Sequence, residues 1–148
     1  MKHLIYLALC LCTIYSCNNE TDNIIGFGTP IDFEKDSIVI NAHLQELKIR
    51  ATNNREWWIH SVSDICGDDT IHLRNGYTEI NEINVPNKEL QGGYFVIRNI
   101  DNGVYLGIKV DENTTEEDRE LKILLTTGNT FEYFHLKQEA KKEDIEEQ

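Results

Sequence analysis

The stretch at residues 104–110 alternates apolar side chains with polar or small ones, and this alternation limits the fold more than any other feature of the chain. On a β-strand, successive side chains point to opposite faces. One face of this strand would therefore be wholly apolar and would carry Val104, Leu106, Ile108 and Val110. An apolar face opposite a polar one is typical of a strand in an antiparallel sheet with one buried side.

The same period of two recurs along most of the chain. It is clear at residues 46–51, 121–125 and 133–137, and further strand candidates lie at 37–41, 56–63, 70–74, 79–85 and 94–100. Turn-forming residues separate these segments, namely Gly67-Asp68, Asn75-Gly76, Gly92-Gly93, Asp101-Asn102-Gly103 and Gly128-Asn129. Seven to nine short strands at this spacing predict an all-β fold, an antiparallel β-sandwich. We expect no helix in this part of the chain.

The first residues have the pattern of a secretory signal peptide. Lys2 is basic, and residues 4–14 form an apolar run of eleven residues. That run is too short to span a bilayer, which needs about 20 apolar residues, but it suits the apolar region of a signal peptide. The run is followed by a small residue, Ser16, and then by Cys17. We therefore predict a signal peptide at residues 1–16.

The segment Ile14-Tyr15-Ser16-Cys17 resembles the lipobox of bacterial lipoprotein precursors, in which cleavage precedes a lipidated cysteine. Cys10 and Cys12 follow leucines and lack the small residue before them, so Cys17 is the predicted lipidation site. Two or more acyl chains would hold such a protein firmly on a membrane. The alternative is an ordinary signal peptide that is cleaved nearby and leaves Cys17 as a free thiol.

Residues 17–34 are polar with interspersed glycines, which is typical of a flexible tether. Glu20 and Asp22 resemble the acidic export signal of surface lipoproteins of Bacteroidetes. The resemblance implies an outer-membrane lipoprotein displayed on the cell surface. The expected location is therefore the cell envelope.

The charge balance excludes two classes of partner. The chain has 14 Lys and Arg against 26 Asp and Glu, a net charge of −12. Such an acidic surface disfavours nucleic acid and electrostatic binding to anionic lipid. After loss of residues 1–16 and acylation of Cys17, Cys66 is the remaining cysteine, so no intramolecular disulfide is expected. The remaining 132 residues suffice for one domain with its own core.

A set of features in the C-terminal third forms a recognisable pattern. It comprises Asn113-Thr114 in a loop, Arg119 at the start of a strand, the turn Gly128-Asn129, and a final strand ending in Leu136-Lys137-Gln138-Glu139-Ala140. Together with a tryptophan-bearing strand at residues 56–59, this pattern resembles BACON-type domains, which are immunoglobulin-like modules of Bacteroidetes. The resemblance implies one immunoglobulin-like β-sandwich at residues 35–140, followed by a charged tail at 141–148.

The resemblance also implies a function. BACON-type domains are non-catalytic and are proposed to contact carbohydrate or mucin, while many relatives are spacers without a ligand. We therefore expect a binding protein for glycan or mucin, with no enzymatic activity and no cofactor. The alternative is a structural or assembly protein that docks another envelope protein through edge strands or an aromatic face.

Three aromatic residues and one lysine are candidates for carbohydrate binding. Trp57 and Trp58 are adjacent and would point to opposite faces of a strand, so Trp57 is expected in the core and Trp58 on the surface. An exposed tryptophan ring can stack on the C–H face of a sugar. Tyr105, Tyr133 and Lys109 lie on the polar faces of their strands and would form one patch if those strands were neighbours. The alternatives are a Trp58 ring covered by a loop or by the tether, and a cross-strand tyrosine pair that stabilises the sheet.

Other reactive residues give weaker indications of chemistry. Cys66 lies between His60 and His72 in sequence and would need a histidine within hydrogen-bond distance to act as a nucleophile, whereas lone cysteines are more often buried apolar residues. The acidic residues near Cys66 and at 111–120 indicate solvated loops rather than calcium sites, and the five histidines lack zinc-binding spacing. No hydrolase, phosphate-loop or dinucleotide-binding motif occurs in the sequence. We predict no metal site and no catalytic residue.

Ser37 and Thr70 are candidate modification sites. Each follows an aspartate and precedes an isoleucine, in Asp36-Ser37-Ile38 and Asp69-Thr70-Ile71. These triplets resemble the O-glycosylation signal of exported Bacteroidetes proteins. We therefore predict O-glycosylation at both hydroxyls, which a mass shift lost in Ser37→Ala and Thr70→Ala would reveal.

Overall fold

The structure of the protein is a computed structural model that describes residues 29–53 and 56–142. These residues form eleven strands and no helix. In chain order the strands are β1 (Ser37–Ile40), β2 (Gln45–Arg50), β3 (Trp58–Cys66), β4 (Asp69–Arg74), β5 (Tyr77–Ile80), β6 (Ile83–Pro86), β7 (Glu89–Gln91), β8 (Phe95–Ile100), β9 (Tyr105–Val110), β10 (Arg119–Thr126) and β11 (Phe131–Gln138). Nine of them build two packed sheets, and β5 and β6 form a separate hairpin. The prediction of an all-β sandwich is confirmed.

The two sheets contain five and four strands. The five-stranded sheet has the order β1-β11-β10-β3-β4, and the four-stranded sheet has the order β2-β9-β8-β7. Their pairings are antiparallel except that of β1 with β11, which is parallel and aligns Ser37 with His135. The fold is therefore an immunoglobulin-like sandwich with one parallel pair at an edge, a departure from the wholly antiparallel arrangement that the alternation predicts.

The core lies between the two sheets and is built from the alternating apolar positions. In β9, Leu106, Ile108 and Val110 are at most 1% exposed, whereas Lys109 between them is exposed. The apolar positions predicted in β10 and β11 are also buried, namely Leu121, Ile123, Leu125, Phe134 and Leu136. Full burial of a side chain of this size contributes about 1.5–3 kcal/mol, so β9, β10 and β11 contribute a large part of the stability of the sandwich.

The segment predicted as one strand at residues 79–85 is instead the β5–β6 hairpin. Asn81 and Glu82 have φ angles of 51° and 65° and form its two-residue turn. Two consecutive positive φ angles are typical of a type I′ turn, which usually carries Asn-Gly. Because a glutamate occupies the second turn position in place of the usual glycine, the sequence does not indicate this turn. Strand β7 is also absent from the sequence prediction, because three residues are too few to show an alternation.

The side chain of Asn75 anchors the hairpin to the sandwich. Its Nδ2 donates hydrogen bonds to Ile59 O in β3 at 2.9 Å and to Asn87 O at 2.7 Å. Thr78 Oγ1 donates to Asn87 Oδ1 at 2.6 Å. An isolated two-stranded hairpin is marginally stable in water, so these bonds hold β5 and β6 in position.

The domain begins before residue 35, within the segment predicted as a tether. Ile31 is 2% exposed and belongs to the core. The Phe33 ring packs edge-on against the rings of Trp57 and Phe134, with centroid distances of 5.7 and 6.1 Å. The C-terminal end of the predicted tether at residues 17–34 is therefore corrected, because two apolar residues there are packed into the sandwich.

The predicted signal peptide at residues 1–16 and the lipidation site Cys17 lie outside the described residues, as does most of the predicted tail at 141–148. Across residues 29–53 and 56–142, the structure contains no apolar helix of the length that a bilayer crossing requires.

Candidate ligand-binding cleft

The two tryptophans at the start of β3 have the different environments that their adjacency predicts. Trp57 is 3% exposed, and its Nε1 donates a 2.9 Å hydrogen bond to Gly103 O. Trp58 is half-buried and lines two surface cavities. The prediction of a core Trp57 is confirmed, and part of the Trp58 ring is accessible to a ligand.

Three adjoining cavities meet at Pro86, at the base of the β5–β6 hairpin. The first, of about 270 Å³, is lined by Trp58, the β6–β7 connection and the end of β8. The second, of about 530 Å³, lies between the hairpin and β7, and the third, of about 120 Å³, lies between Trp58 and Tyr77. Pro86 lines all three. Together they are named the Pro86 cleft.

Side-chain amides supply most of the polar lining of the 270 Å³ cavity. Asn87, Asn99 and Asn102 line it together with Lys88. Asn99 Nδ2 donates to Trp57 O at 2.7 Å, whereas Asn99 Oδ1 is buried and has no hydrogen-bond partner among the described residues. Lys88 Nζ donates to Asn102 Oδ1 at 2.7 Å. Buried polar atoms normally have a partner, so Asn99 Oδ1 is an exception in the described part of the chain.

The backbone around this cavity is held by specific contacts. Asp101 and Asn102 have φ angles of 53° and 54° in the β8–β9 turn, a left-handed conformation that Asp and Asn adopt more readily than most residues. Asn99 N donates to Lys88 O at 2.8 Å. The Asn99–Lys88 hydrogen bond joins β8 to the β6–β7 connection at this cavity.

The predicted patch of Tyr105, Lys109 and Tyr133 does not form, because their strands are not neighbours. Tyr105 and Lys109 lie in β9 of the four-stranded sheet, and Tyr133 lies in β11 of the five-stranded sheet. Each faces outward from its own sheet, since the residue that follows it in sequence is buried in the core. Lys48 Nζ lies 5.5 Å from the Tyr105 ring centroid, and the His135 ring centroid lies 6.0 Å from that of Tyr133. None of the three predicted residues lines the Pro86 cleft.

Ser37 and Thr70 are exposed on the edge strands β1 and β4 of the five-stranded sheet. Both residues are therefore accessible to a modifying enzyme. O-glycosylation at these two positions stays a prediction.

Cys66, at the end of β3, contacts a carboxylate rather than a histidine. Its Sγ lies 3.7 Å from Glu117 Oε2. Burial and the neighbouring Glu117 raise the pKa of the Cys66 thiol above its ordinary value. His72 Nδ1 lies 2.9 Å from Ser63 Oγ, and His60 packs against an aromatic ring. The arrangement favours the neutral thiol, which is a poor nucleophile.

The acidic loop at residues 111–118 is organised by a buried amide. Asn113 is 0% exposed, and its Nδ2 donates to Glu117 O and Glu139 O at 2.8 and 3.1 Å. Its Oδ1 accepts a 3.1 Å hydrogen bond from Thr115 N. The described residues hold no group of three or more His, Cys, Asp or Glu side chains placed to bind a metal ion.

Sequence reasoning identifies Trp58 but not the residues beside it. Asn99 lies on a strand and Lys88 in a connection, and neither belongs to a motif. Pro86 carries a weak signal, because a proline cannot donate a ladder hydrogen bond and is therefore confined to strand ends, edges and bulges. The meeting of these residues depends on strand order, which no local pattern specifies.

Comparison with known proteins bears on the fold. No family model and no curated protein matches the chain. Among solved structures, the chain is similar to a protein from Bacteroides thetaiotaomicron determined by NMR, with 21% identity, a TM-score of 0.55, and coverage of 85% of this chain and 98% of that one. A second similar structure is murine CRIg, with 8% identity, a TM-score of 0.39, and coverage of 76% of this chain and 98% of that one. The chain is an immunoglobulin-like β-sandwich that shares its fold with the Bacteroides protein.

Proposed function

We propose that this protein is a non-catalytic binding protein of a bacterial cell envelope and that it binds carbohydrate in the Pro86 cleft. The observation that carries the proposal is the Trp58 ring, which is half-buried in a cavity of about 270 Å³ lined by three asparagine side chains. A tryptophan ring offers an apolar surface for the C–H face of a sugar. Asparagine amides both donate and accept hydrogen bonds, as sugar hydroxyls do.

The size and polarity of the cleft support a small polar ligand. Ligand sites in proteins commonly occupy about 300–1,000 Å³. The 270 Å³ cavity is close to that range, and it adjoins a cavity of about 530 Å³. These features favour recognition by stacking and hydrogen bonds.

The sequence supports a location in the cell envelope. We propose that residues 1–16 are removed as a signal peptide and that acyl chains on Cys17 anchor the protein to the outer membrane, exposed at the cell surface. The support is the lipobox-like segment Ile14-Tyr15-Ser16-Cys17. The resemblance of the C-terminal third to BACON-type domains further supports contact with glycan or mucin.

A glycan array probed with the full chain and two variants tests the carbohydrate proposal. Trp58→Ala removes the ring in the cleft and is expected to lower affinity for the bound glycans at least about tenfold, a change of about 1.4 kcal/mol. Tyr133→Ala is the matched control, because it removes an aromatic side chain that is 52% exposed on the outer face of the five-stranded sheet. Thermal unfolding establishes that both variants fold. The proposal is wrong if no glycan binds, or if Trp58→Ala binds as tightly as the parent.

The β5–β6 hairpin supports a second candidate function, the docking of another envelope protein. Tyr77, Ile80 and Ile83 are 60%, 53% and 65% exposed. Several large apolar side chains exposed on one hairpin form a surface that a protein partner would cover. The variant Ile83→Ser is expected to lose the proteins that co-purify with the parent chain while it keeps glycan binding, because Ile83 does not line the Pro86 cleft. Unchanged co-purification would rule this candidate out.

A further inference from the structure

The Pro86 cleft differs in charge from the protein as a whole. The chain carries a net charge of −12, yet two cationic side chains, Lys88 and Arg74, line the cleft. Lys88 lines the 270 and 530 Å³ cavities, and Arg74 lines the 120 Å³ cavity. Trp58 and Pro86 lie between them, since both line the first and the third cavity.

Neither cation has a carboxylate partner in the part of the chain that the structure describes. The ion pairs found there are Arg98–Glu89, Lys137–Asp118 and Lys141–Glu112. Lys88 Nζ instead donates to a neutral amide oxygen, Asn102 Oδ1, at 2.7 Å. Both positive charges are therefore available to a ligand.

Two carboxylates also line the cleft, and one of them is already neutralised. Glu89 Oε2 accepts a 2.6 Å hydrogen bond from Arg98 Nε. Glu56 lines the same cavity as Lys88. The charges of Arg98 and Glu89 cancel. The two positive charges of Lys88 and Arg74 then exceed the single negative charge of Glu56. With Arg98 counted beside Glu89, the cleft has an excess of one positive charge on an acidic protein.

The arrangement of the cavities favours an extended ligand. Cavities of about 530, 270 and 120 Å³ adjoin one another around Pro86. A ligand that contacts Lys88, Trp58 and Arg74 together must extend over more than one of them. A single sugar ring stacked on Trp58 would leave at least one of the two cations unused.

We propose that the ligand of the Pro86 cleft is an acidic oligosaccharide, a chain of at least two sugars that carries carboxylate or sulfate groups. This inference rests on the proposed carbohydrate function and specifies its ligand class. One sugar stacks on Trp58, and the anionic groups contact Lys88 and Arg74. Because the rest of the acidic surface repels anions, binding of such a ligand depends on its close contacts with Lys88 and Arg74.

A glycan array printed as matched pairs tests the charge of the ligand. The members of each pair differ in one kind of anionic group: uronic-acid oligosaccharides and their methyl esters, sulfated glycans and their desulfated forms, sialylated glycans and their desialylated forms. The full chain is expected to bind the charged member at least about tenfold more tightly at low ionic strength. The preference is expected to fall as salt is added, because salt screens exposed charges.

Three single variants locate the charges that produce the preference. Lys88→Gln and Arg74→Gln are each expected to reduce the preference for the charged member over the neutral member of a pair at least about threefold. Lys109→Gln is the matched control, because Lys109 is an exposed lysine on the outer face of the four-stranded sheet, outside the cleft. It is expected to bind as the parent does.

The outcomes separate the inference from the function on which it rests. If charged and neutral members bind equally, the ligand is not acidic, while the carbohydrate function stands. If all three variants keep the parent preference, the anionic groups contact another surface and the inference is overturned. If no member of any pair binds, both the inference and the carbohydrate function are wrong.

Discussion

The hydroxyl of Tyr94 donates a 2.6 Å hydrogen bond to Asp64 Oδ1, and this bond joins the two sheets of the sandwich. Asp64 lies in β3 of the five-stranded sheet, and Tyr94 immediately precedes β8 of the four-stranded sheet. The Arg119 guanidinium lies 4.3 Å from the centroid of the Tyr94 ring. Burial and the hydrogen bond to Asp64 raise the pKa of Tyr94, so the hydroxyl keeps its proton and remains a donor throughout the physiological pH range.

Tyr94→Phe is expected to destabilise the protein by about 1.5–3 kcal/mol, since a hydrogen bond to a charged group is lost and Asp64 stays partly buried without its donor. Urea denaturation followed by tryptophan fluorescence measures the change. Tyr133→Phe is the control, because the Tyr133 residue is 52% exposed and its substitution should change stability by no more than about 0.5 kcal/mol. Equal effects of the two substitutions would contradict the bridging role of Tyr94.

Asn75→Ala is expected to release the β5–β6 hairpin without unfolding the sandwich. The substitution removes the donors to Ile59 O and Asn87 O, and the hairpin has little buried surface of its own to replace them. Hydrogen exchange of the amides at residues 77–87 should accelerate at least about tenfold, while exchange in β10 and β11 stays at the parent rate. Thr52→Ala serves as the control, because Thr52 lies in a different loop from Asn75. Unchanged exchange across the hairpin would show that Asn75 does not anchor it.

Acid is expected to weaken the fold through Asp118. The Lys137 ammonium at 2.7 Å and the Ala140 N–H at 2.8 Å lower the pKa of Asp118 below its ordinary value of 3.8. The folded state therefore binds fewer protons than the unfolded state in this pH range. The stabilisation is complete above pH 3.8 and is lost as the pH falls through the lower pKa of the folded state.

The comparison of the parent with Asp118→Asn measures that contribution. Asp118→Asn should lower the melting temperature at pH 7, and the difference from the parent should shrink as the pH falls below about 4. Glu112→Gln is the control, because the oxygen of Glu112 and the Lys141 nitrogen are 4.0 Å apart and both side chains are exposed. A difference that stays constant from pH 7 to pH 2 would exclude the assigned lowering of the Asp118 pKa.

Alkylation of Cys66 by iodoacetamide should be slow at neutral pH. Burial and the Glu117 carboxylate raise the pKa of the thiol above its ordinary value of 9.0, so the reactive thiolate is scarce. Mass spectrometry of the peptide that contains Cys66 gives the rate as a function of pH, and the midpoint should lie above 9.0. Glu117→Gln should move the midpoint down. A parent midpoint below 9.0 would instead indicate an activated thiol.

Radiolabelled palmitate should enter the parent protein expressed in its own bacterial background but not Cys17→Ser. The expectation follows from the small residue that precedes Cys17 and the leucines that precede the other two cysteines of the segment. Cys12→Ser is the matched control and should be labelled as the parent is. Equal labelling of Cys17→Ser and the parent would show that Cys17 is not the anchor.

Local alternation predicted the strands that bury one face. Leu106, Ile108 and Val110 are buried as expected, because a period of two is a property of the strand and needs no knowledge of its partners. The same parity separated Trp57 from Trp58 correctly. The turn between β5 and β6 escaped prediction because Asn81 and Glu82 adopt positive φ angles without the glycine that normally marks such a turn.

The composition of the candidate site could not be predicted, because it depends on which strands meet. Tyr105 and Tyr133 share the polar parity of their strands but belong to different sheets. Trp58, Pro86 and Asn99 are distant in sequence and line one cavity, because β3 and β8 face each other across the sandwich. Such contacts depend on how whole sheets pack together, so a short stretch of sequence does not predict them.

The parallel pairing of β1 with β11 has a consequence for how the protein is made. Ser37 lies opposite His135, so the first strand of the sheet lacks its partner until residues 131–138 have been synthesised. The same last strand brings Phe134 and Leu136 to the core. A nascent chain that ends before residue 131 lacks both the partner of β1 and these core side chains. The five-stranded sheet can therefore be completed only after residues 131–138 have emerged, so the sandwich cannot close one strand at a time as the chain is made.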